Sequence, residues 1–312
     1  MDQNVISNAD VEELSGLRPR SPLVAQRLKK IHNAYSQGYQ AANSTDDLEA
    51  IIPKLNTIEA ELHGFAFEGV GTALALKDVL TPSDENRVAA FVLGPGAAFD
   101  TYVYVGMGLM LGKKKQQLEP HFKSLNFARR WLVLDGYGFQ HGFSHWKEYL
   151  GGQPAPEHLS GYNCRVFDQG LGRSIWFADG TDATRISQTI SAFPKMRQAD
   201  LWGGVGYACA YAGGADRATL EALKIAAGNY KPILAQAVIL AANSRQLLGI
   251  PSAYTKLACE ILCEIDTINV SKVSKIIDRM LKKPANSSVI PNSSWIHYRM
   301  HLIGIDRVAM PA

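Results

Sequence analysis

Neither sign of charge dominates this sequence. There are 32 Lys and Arg against 29 Asp and Glu, which leaves a formal charge of +3 on 312 residues. So small an excess argues against a nucleic-acid partner. Cysteine is scarce as well. Cys164, Cys209, Cys259 and Cys263 form no CxxC pair and no zinc spacing. That excludes a disulfide framework and points to reduced core thiols in a reducing compartment. The N-terminal MDQNVISNADVEE is polar and acidic and carries no signal-peptide pattern, so a cytoplasmic location is expected. Strand patterns are few. The best is Arg173-Ser174-Ile175-Trp176-Phe177, and no strand–helix alternation repeats. Familiar catalytic strings are missing too: no GxxxxGK followed by Ser or Thr, no GxSxG elbow, no ExxH pair, no DDxxD or DxDD. GMGLMLG at 106–112 imitates a phosphate loop, but its spacing is wrong and no strand precedes it. No cofactor is expected.

What is present suits a helical protein with a large core. Apolar residues make up 46% and charged residues 20%, a balance that disfavours long disorder. Between Arg87 and Lys113 the single charge is Asp100. That stretch is long enough to span a bilayer, but Pro95, its glycines and Asp100 favour a buried core segment over a membrane span. Helical spacing recurs at 24–39, 48–55, 56–79, 98–112, 181–192, 197–212, 216–227, 231–248, 252–265 and 269–282. The expected fold is mainly α: a tail over 1–17, then one compact helical domain over 18–312. Residues 151–182 are dense in Gly, Pro and Asp. They read as a loop or short-strand lobe covering a central cavity.

A faint internal repeat suggests a duplication of Gly-rich helix pairs. Gly64-Phe65-Ala66-Phe67-Glu68-Gly69 resembles Gly138-Phe139-Gln140-His141-Gly142, and Leu234-Ala235-Gln236-Ala237 is a later cousin. Gly-rich helices around Gly106 and Gly204 follow the first two. On this alignment Glu68, His141 and Gln236 take related positions facing one centre. Helical glycine costs about 1 kcal/mol against alanine, so its retention implies close backbone approach.

Three clusters carry the candidate chemistry. In the first, Asp135 to Trp146, a helix puts His141 and His145 four apart on one face. That spacing suits a metal with Glu68 as third ligand, although the glutamate of HExxH is absent. It equally suits a metal-free acid–base site, or histidines buried among Tyr137, Phe143 and Trp146. In the second, Asp168 and Arg173 bracket a Gly turn and pair across it, with Trp176 and Phe177 beside them. The third is Arg197, Asp200 and Trp202. Four of the five tryptophans, Trp131, Trp146, Trp176 and Trp202, fall among these clusters, which suggests an aromatic pocket. Lys113-Lys114-Lys115 reads as a solvated basic run.

The strings HGFAFEG, DGYGFQHGFSHW, FDQGLGRSIWF and DLWGGVGYACAYAGG, in this order, resemble the DUF1702 family. The likeness spans roughly residues 15–305. The family often has His-Glu-Gly where this chain has Gln140-His141-Gly142, which shifts weight from His141 to His145 and Trp146. The resemblance implies bacterial specialised metabolism, in gene clusters for enediyne-type and related polyketides, and no assigned mechanism. The expected function is cyclisation, isomerisation or rearrangement of a large apolar, polyene-like intermediate. Glu68, Asp135, His145, Asp168 and Arg173 are the catalytic candidates, and Tyr137, Phe143, Trp146, Trp176 and Trp202 the substrate-binding ones. A non-catalytic binding or chaperone protein working beside a polyketide synthase is the second expectation. A metalloenzyme using His141, His145 and Glu68 is the third.

Overall fold

The computed structural model describes residues 17–81, 86–114, 116–123, 125–149 and 154–263. The expected helix at 269–282 and nearly all of the 1–17 tail lie outside them. Seven long helices carry the architecture: α1 (Pro22–Asn43), α2 (His63–Leu80), α3 (Asp100–Lys113), α4 (Phe127–Ser144), α5 (Tyr162–Ala178), α6 (Lys195–Ala212) and α7 (Lys231–Leu247). A further helix, α8 (Ala253–Cys263), packs on α6 and α7. No strand occurs among the described residues. Starts are set locally. Ser21 accepts a hydrogen bond from Val24 N at 3.3 Å with proline at the first position of α1, and Asn126 accepts from Arg129 N at 3.0 Å at the head of α4.

Successive long helices lie side by side and point the same way, because their contacts advance in step. Arg27 pairs with Glu61 at one end of α1, and Lys77 donates to the Thr45 carbonyl at the other (2.7 Å). On α5 and α6, Arg165 meets Asp200 (2.9 Å), and twelve or so residues later Trp176 Nε1 donates to the Gly213 carbonyl (3.1 Å). Parallel neighbours require the chain to return between them. Short helices such as Arg87–Leu93, Ala183–Ser191 and Arg217–Ala226 lie on these return segments. The row also curls. Arg27 Nε on α1 donates to the Ala212 carbonyl at the end of α6 (2.8 Å), bringing the sixth helix back to the first.

Glycine sets the spacing. Five helices carry a Gly-x-Gly pair: 69/71, 106/108, 136/138, 170/172 and 204/206. The first glycine of each pair seats against a backbone carbonyl of the preceding helix, the second against one of the following helix. Gly106 meets the Glu68 carbonyl and Gly108 that of Val133; Gly170 meets that of Asp135 and Gly172 that of Leu201. A Cβ at any of these positions would collide with backbone. The helices therefore touch main chain to main chain, and side chains at neighbouring positions are forced inward or outward around the ring. This register corrects the expected repeat. Every long helix from α2 to α6 is equivalent, with no alternation of two types. The residue preceding the first glycine is Glu68, Asp135 and Gln169 on α2, α4 and α5. Asp135, not His141, is thus the counterpart of Glu68, while Gln236 keeps its place before Ala237, which takes the glycine position on α7.

A second correction concerns 151–182. Tyr162–Ala178 is a continuous helix, buried throughout from Val166 to Ala178, so the expected short strand and the second half of the expected lobe are α5 itself. No single described helix is long and apolar enough to cross a membrane. Arg87–Leu93 and Ala97–Lys113, together long enough, are bent by 102°.

Candidate functional site

The curled row leaves an open-mouthed cavity of about 840 Å³, solvent space at the mouth included. Residues from α1 to α6 line it. The walls are mainly aromatic and aliphatic, with Phe65, Phe139, Phe143, Phe177, Tyr207 and Tyr211 contributing most of the rings. Glu68 and Arg173 project into this lining.

Glu68, Asp135 and Arg173 form one buried cluster. Arg173 donates to Asp135 through Nη1 and to Glu68 Oε1 through Nη2 at 3.4 Å. Gln169, one helical turn before Arg173 on α5, donates to the other Asp135 oxygen at 3.0 Å. The Arg173 guanidinium also lies 5.1 Å from the centre of the Phe139 ring. The glycine register explains the meeting. It aims Glu68, Asp135 and Gln169 from equivalent positions on three helices, and Arg173 rises one turn above Gln169.

Desolvation dominates the electrostatics. Burial lifts the Glu68 carboxyl to about 7, against the pull of Arg173 and with help from nearby Asp135. Burial also opposes the Arg173 charge, but Asp135 and Glu68 beside it hold its pKa above the usual value. Tyr102, Tyr207 and Tyr211 stand close by, with the Tyr102 and Tyr211 rings 5.4 Å apart and those of Tyr207 and Tyr211 5.7 Å apart. Burial raises all three phenols, so they remain hydroxyl donors at neutral pH. One carboxyl poised near neutrality in an apolar cavity can deliver or accept a proton, and the arginine beside it can stabilise the charge left behind.

The other expected site residues lie elsewhere. Asp168 does not pair with Arg173. It binds Arg197 of α6 (Nε–Oδ2, 2.9 Å) in a buried pair next to Asp200–Arg165. Burial raises Asp168 to about 6. His141 is packed outside the cavity, its Nδ1 2.9 Å from the Tyr137 carbonyl and its ring against Tyr149 and Phe167. His145 caps the end of α4, and its Nδ1 is buried without a partner. Neither histidine lines the cavity beside Glu68, and no three metal-ligating side chains gather among the described residues, so the expected triad of His141, His145 and Glu68 is not assembled. Of the expected substrate-binding residues, Phe143 lines the cavity. Tyr137 packs on His141 and Phe167, Trp146 lies under Arg18, Trp176 is wholly buried on Gly213, and Trp202 is core. The sequence reading missed Phe65, Phe139, Gln169, Tyr207 and Tyr211. For Phe139 and Tyr207 the signal was position: each stands three residues after the first glycine of its helix, as Arg173 does.

The DUF1702 family model, described as a protein of unknown function, matches residues 5–302. The chain belongs to the DUF1702 family. No curated protein and no solved structure matches it. The DUF1702 match runs through every helix that builds the cavity, but it assigns no activity to it.

Proposed function

We propose that this DUF1702 protein is an enzyme that cyclises, isomerises or rearranges a large apolar, polyene- or polyketide-like molecule by proton transfer. The observation that carries this reading is the Glu68–Arg173–Asp135 cluster in the wall of an aromatic cavity. Glu68 is the acid: with its carboxyl lifted to about 7, it holds a proton near neutral pH and sits where a bound chain would lie. Arg173 stabilises the carboxylate that remains until Glu68 takes a proton back from the rearranged cation. Asp135, which is not part of the cavity lining, anchors Arg173, with Gln169 behind it. Aromatic faces suit a substrate that becomes electron-poor when protonated, since the ring quadrupole attracts positive charge. Proton donation and recovery require no further reagent. The cytoplasm is the proposed location.

The test uses linear polyenes incubated with purified protein in D₂O. The wild type is expected to introduce solvent deuterium into an isomerised or cyclised product. Glu68→Gln is expected to slow this by roughly 100-fold or more, the usual weight of a general acid. Equal turnover by both proteins would overturn the assignment. Tight binding with no turnover, indifferent to Glu68, would favour the alternative of a non-catalytic binding protein.

A further inference from the structure

Gly64 lies outside the Gly-x-Gly pairs and serves a different end. A Cβ there would meet side chains, not backbone: it would run into the Tyr211 hydroxyl and stand 2.9 Å from the Tyr102 ring. The glycine thus leaves room for a phenol at the head of α2, one turn before Glu68 on the same face. Tyr211 lines the cavity from α6 and is buried. Its ring is held on two sides, by the Arg245 guanidinium 4.2 Å from its centre and by Phe65 edge-on at 5.4 Å. Among the described lining residues, its hydroxyl is the one side-chain polar atom that is buried without a hydrogen-bond partner. The hydroxyl of neighbouring Tyr102, whose ring lies 5.4 Å away, is likewise buried and unbonded. Were Tyr102 to turn its proton to the Tyr211 oxygen, the Tyr211 proton would still lack an acceptor. An unmet donor in the interior is costly, and native structures keep few of them.

We propose that Tyr211 donates a hydrogen bond to a carbonyl oxygen of the bound molecule, so that the cavity takes an apolar, polyene-like chain bearing a ketone or aldehyde. A carbonyl accepts and does not donate, which matches unspent hydroxyl protons. Tyr211 then selects the oxygenated chain and fixes how it lies beside Glu68. This narrows the substrate class of the preceding reading and rests on the cavity being a ligand site, but not on proton transfer by Glu68.

The experiment uses β-ionone, a conjugated apolar ketone, with binding followed by calorimetry and the bound carbonyl stretch by infrared difference spectroscopy. In the wild type the stretch is expected below its value in hexane. Tyr211→Phe is expected to return it toward the hexane value and to weaken binding by about 5-fold, the worth of one neutral hydrogen bond. Tyr230→Phe, outside the lining, is expected to change neither. Because Tyr211→Phe removes no hydrogen bond within the protein, its urea midpoint is expected to be no lower than that of the wild type. Failure of the wild type to bind β-ionone, an unshifted carbonyl, or a shift that persists in Tyr211→Phe would each overturn the proposal. So would a clear loss of stability in Tyr211→Phe, which would mean that the hydroxyl already has a partner. Glu68→Gln separates the two readings, since it is expected to keep the carbonyl shift. A kept shift with undiminished turnover would refute the proton-transfer role while supporting the carbonyl site.

Discussion

Replacing Gly170 with alanine tests whether main-chain contact between helices shapes this protein. Alanine is the better helix former by about 1 kcal/mol, so an isolated helix would gain from the change. In the folded protein the new Cβ would stand 2.8 Å from both the Asp135 carbonyl carbon and the Phe139 nitrogen, and nearer still to the Asp135 oxygen. Ordinary contacts begin at 3.4 Å, so α4 and α5 must part by more than half an ångström along a long interface. A radial gap of about 0.5–1 Å forfeits a quarter to a half of each dispersion contact, and overpacking of this kind costs about 3 kcal/mol. Subtracting the propensity gain leaves a net loss of about 2 kcal/mol. Urea unfolding followed by circular dichroism measures it as a lower midpoint at unchanged slope. The shift would also move Asp135, and with it Arg173, so ligand binding is expected to weaken as well. A Gly170→Ala protein as stable as the wild type, or more stable, would refute the close-packing argument.

Other perturbations address the charges. Arg173→Met strands Glu68 and Asp135 together in the interior and is expected to destabilise by about 3–5 kcal/mol in the same unfolding assay; adding Glu68→Gln and Asp135→Asn should recover much of that loss. Glu68 titrates near 7 when folded and near 4.5 when unfolded, so the native state binds the extra proton between those values. Its stabilising effect is complete below about pH 4.5 and is lost as pH rises through 7, by up to about 3 kcal/mol. Stability measured from pH 4.5 to 8 should fall less steeply in Glu68→Gln than in the wild type. Asp168→Asn is expected to cost about 2–3 kcal/mol by unpairing Arg197, yet to leave cavity ligand binding unchanged, which a parallel binding titration would detect.

The helical class was legible because most elements follow the 3.6-residue period: α2, α3, α6 and α7 fall close to the expected 56–79, 98–112, 197–212 and 231–248. The glycines obscured α5. Taken singly, Gly170 and Gly172 look like turn formers, and only the neighbouring carbonyls reveal that they serve close approach. The same misreading paired Asp168 with Arg173. Five residues apart on a helix, they point about 140° away from each other, one toward Arg197 and the other into the cavity. Glu68, Asp135 and Arg173 could be chosen by residue type, since charges in apolar helices need partners. Their meeting depends on the curl of the helix row, which no local pattern encodes. His141 and His145 share a helix face, but that face is turned to Phe167 and Tyr149, so correct spacing led to the wrong centre. Aligning the five Gly-x-Gly pairs would have set Asp135 against Glu68 without any structure.

The proposed chemistry requires Glu68 to be a neutral acid inside an apolar cavity near physiological pH. Infrared difference spectra of the wild type and Glu68→Gln, recorded from pH 5 to 9, measure this without knowledge of the substrate. The prediction is a protonated carboxyl component with a midpoint near 7 in the wild type that is lost in Glu68→Gln, while the Asp168 component near 6 persists in both. A Glu68 carboxylate already ionised at pH 5 would contradict it.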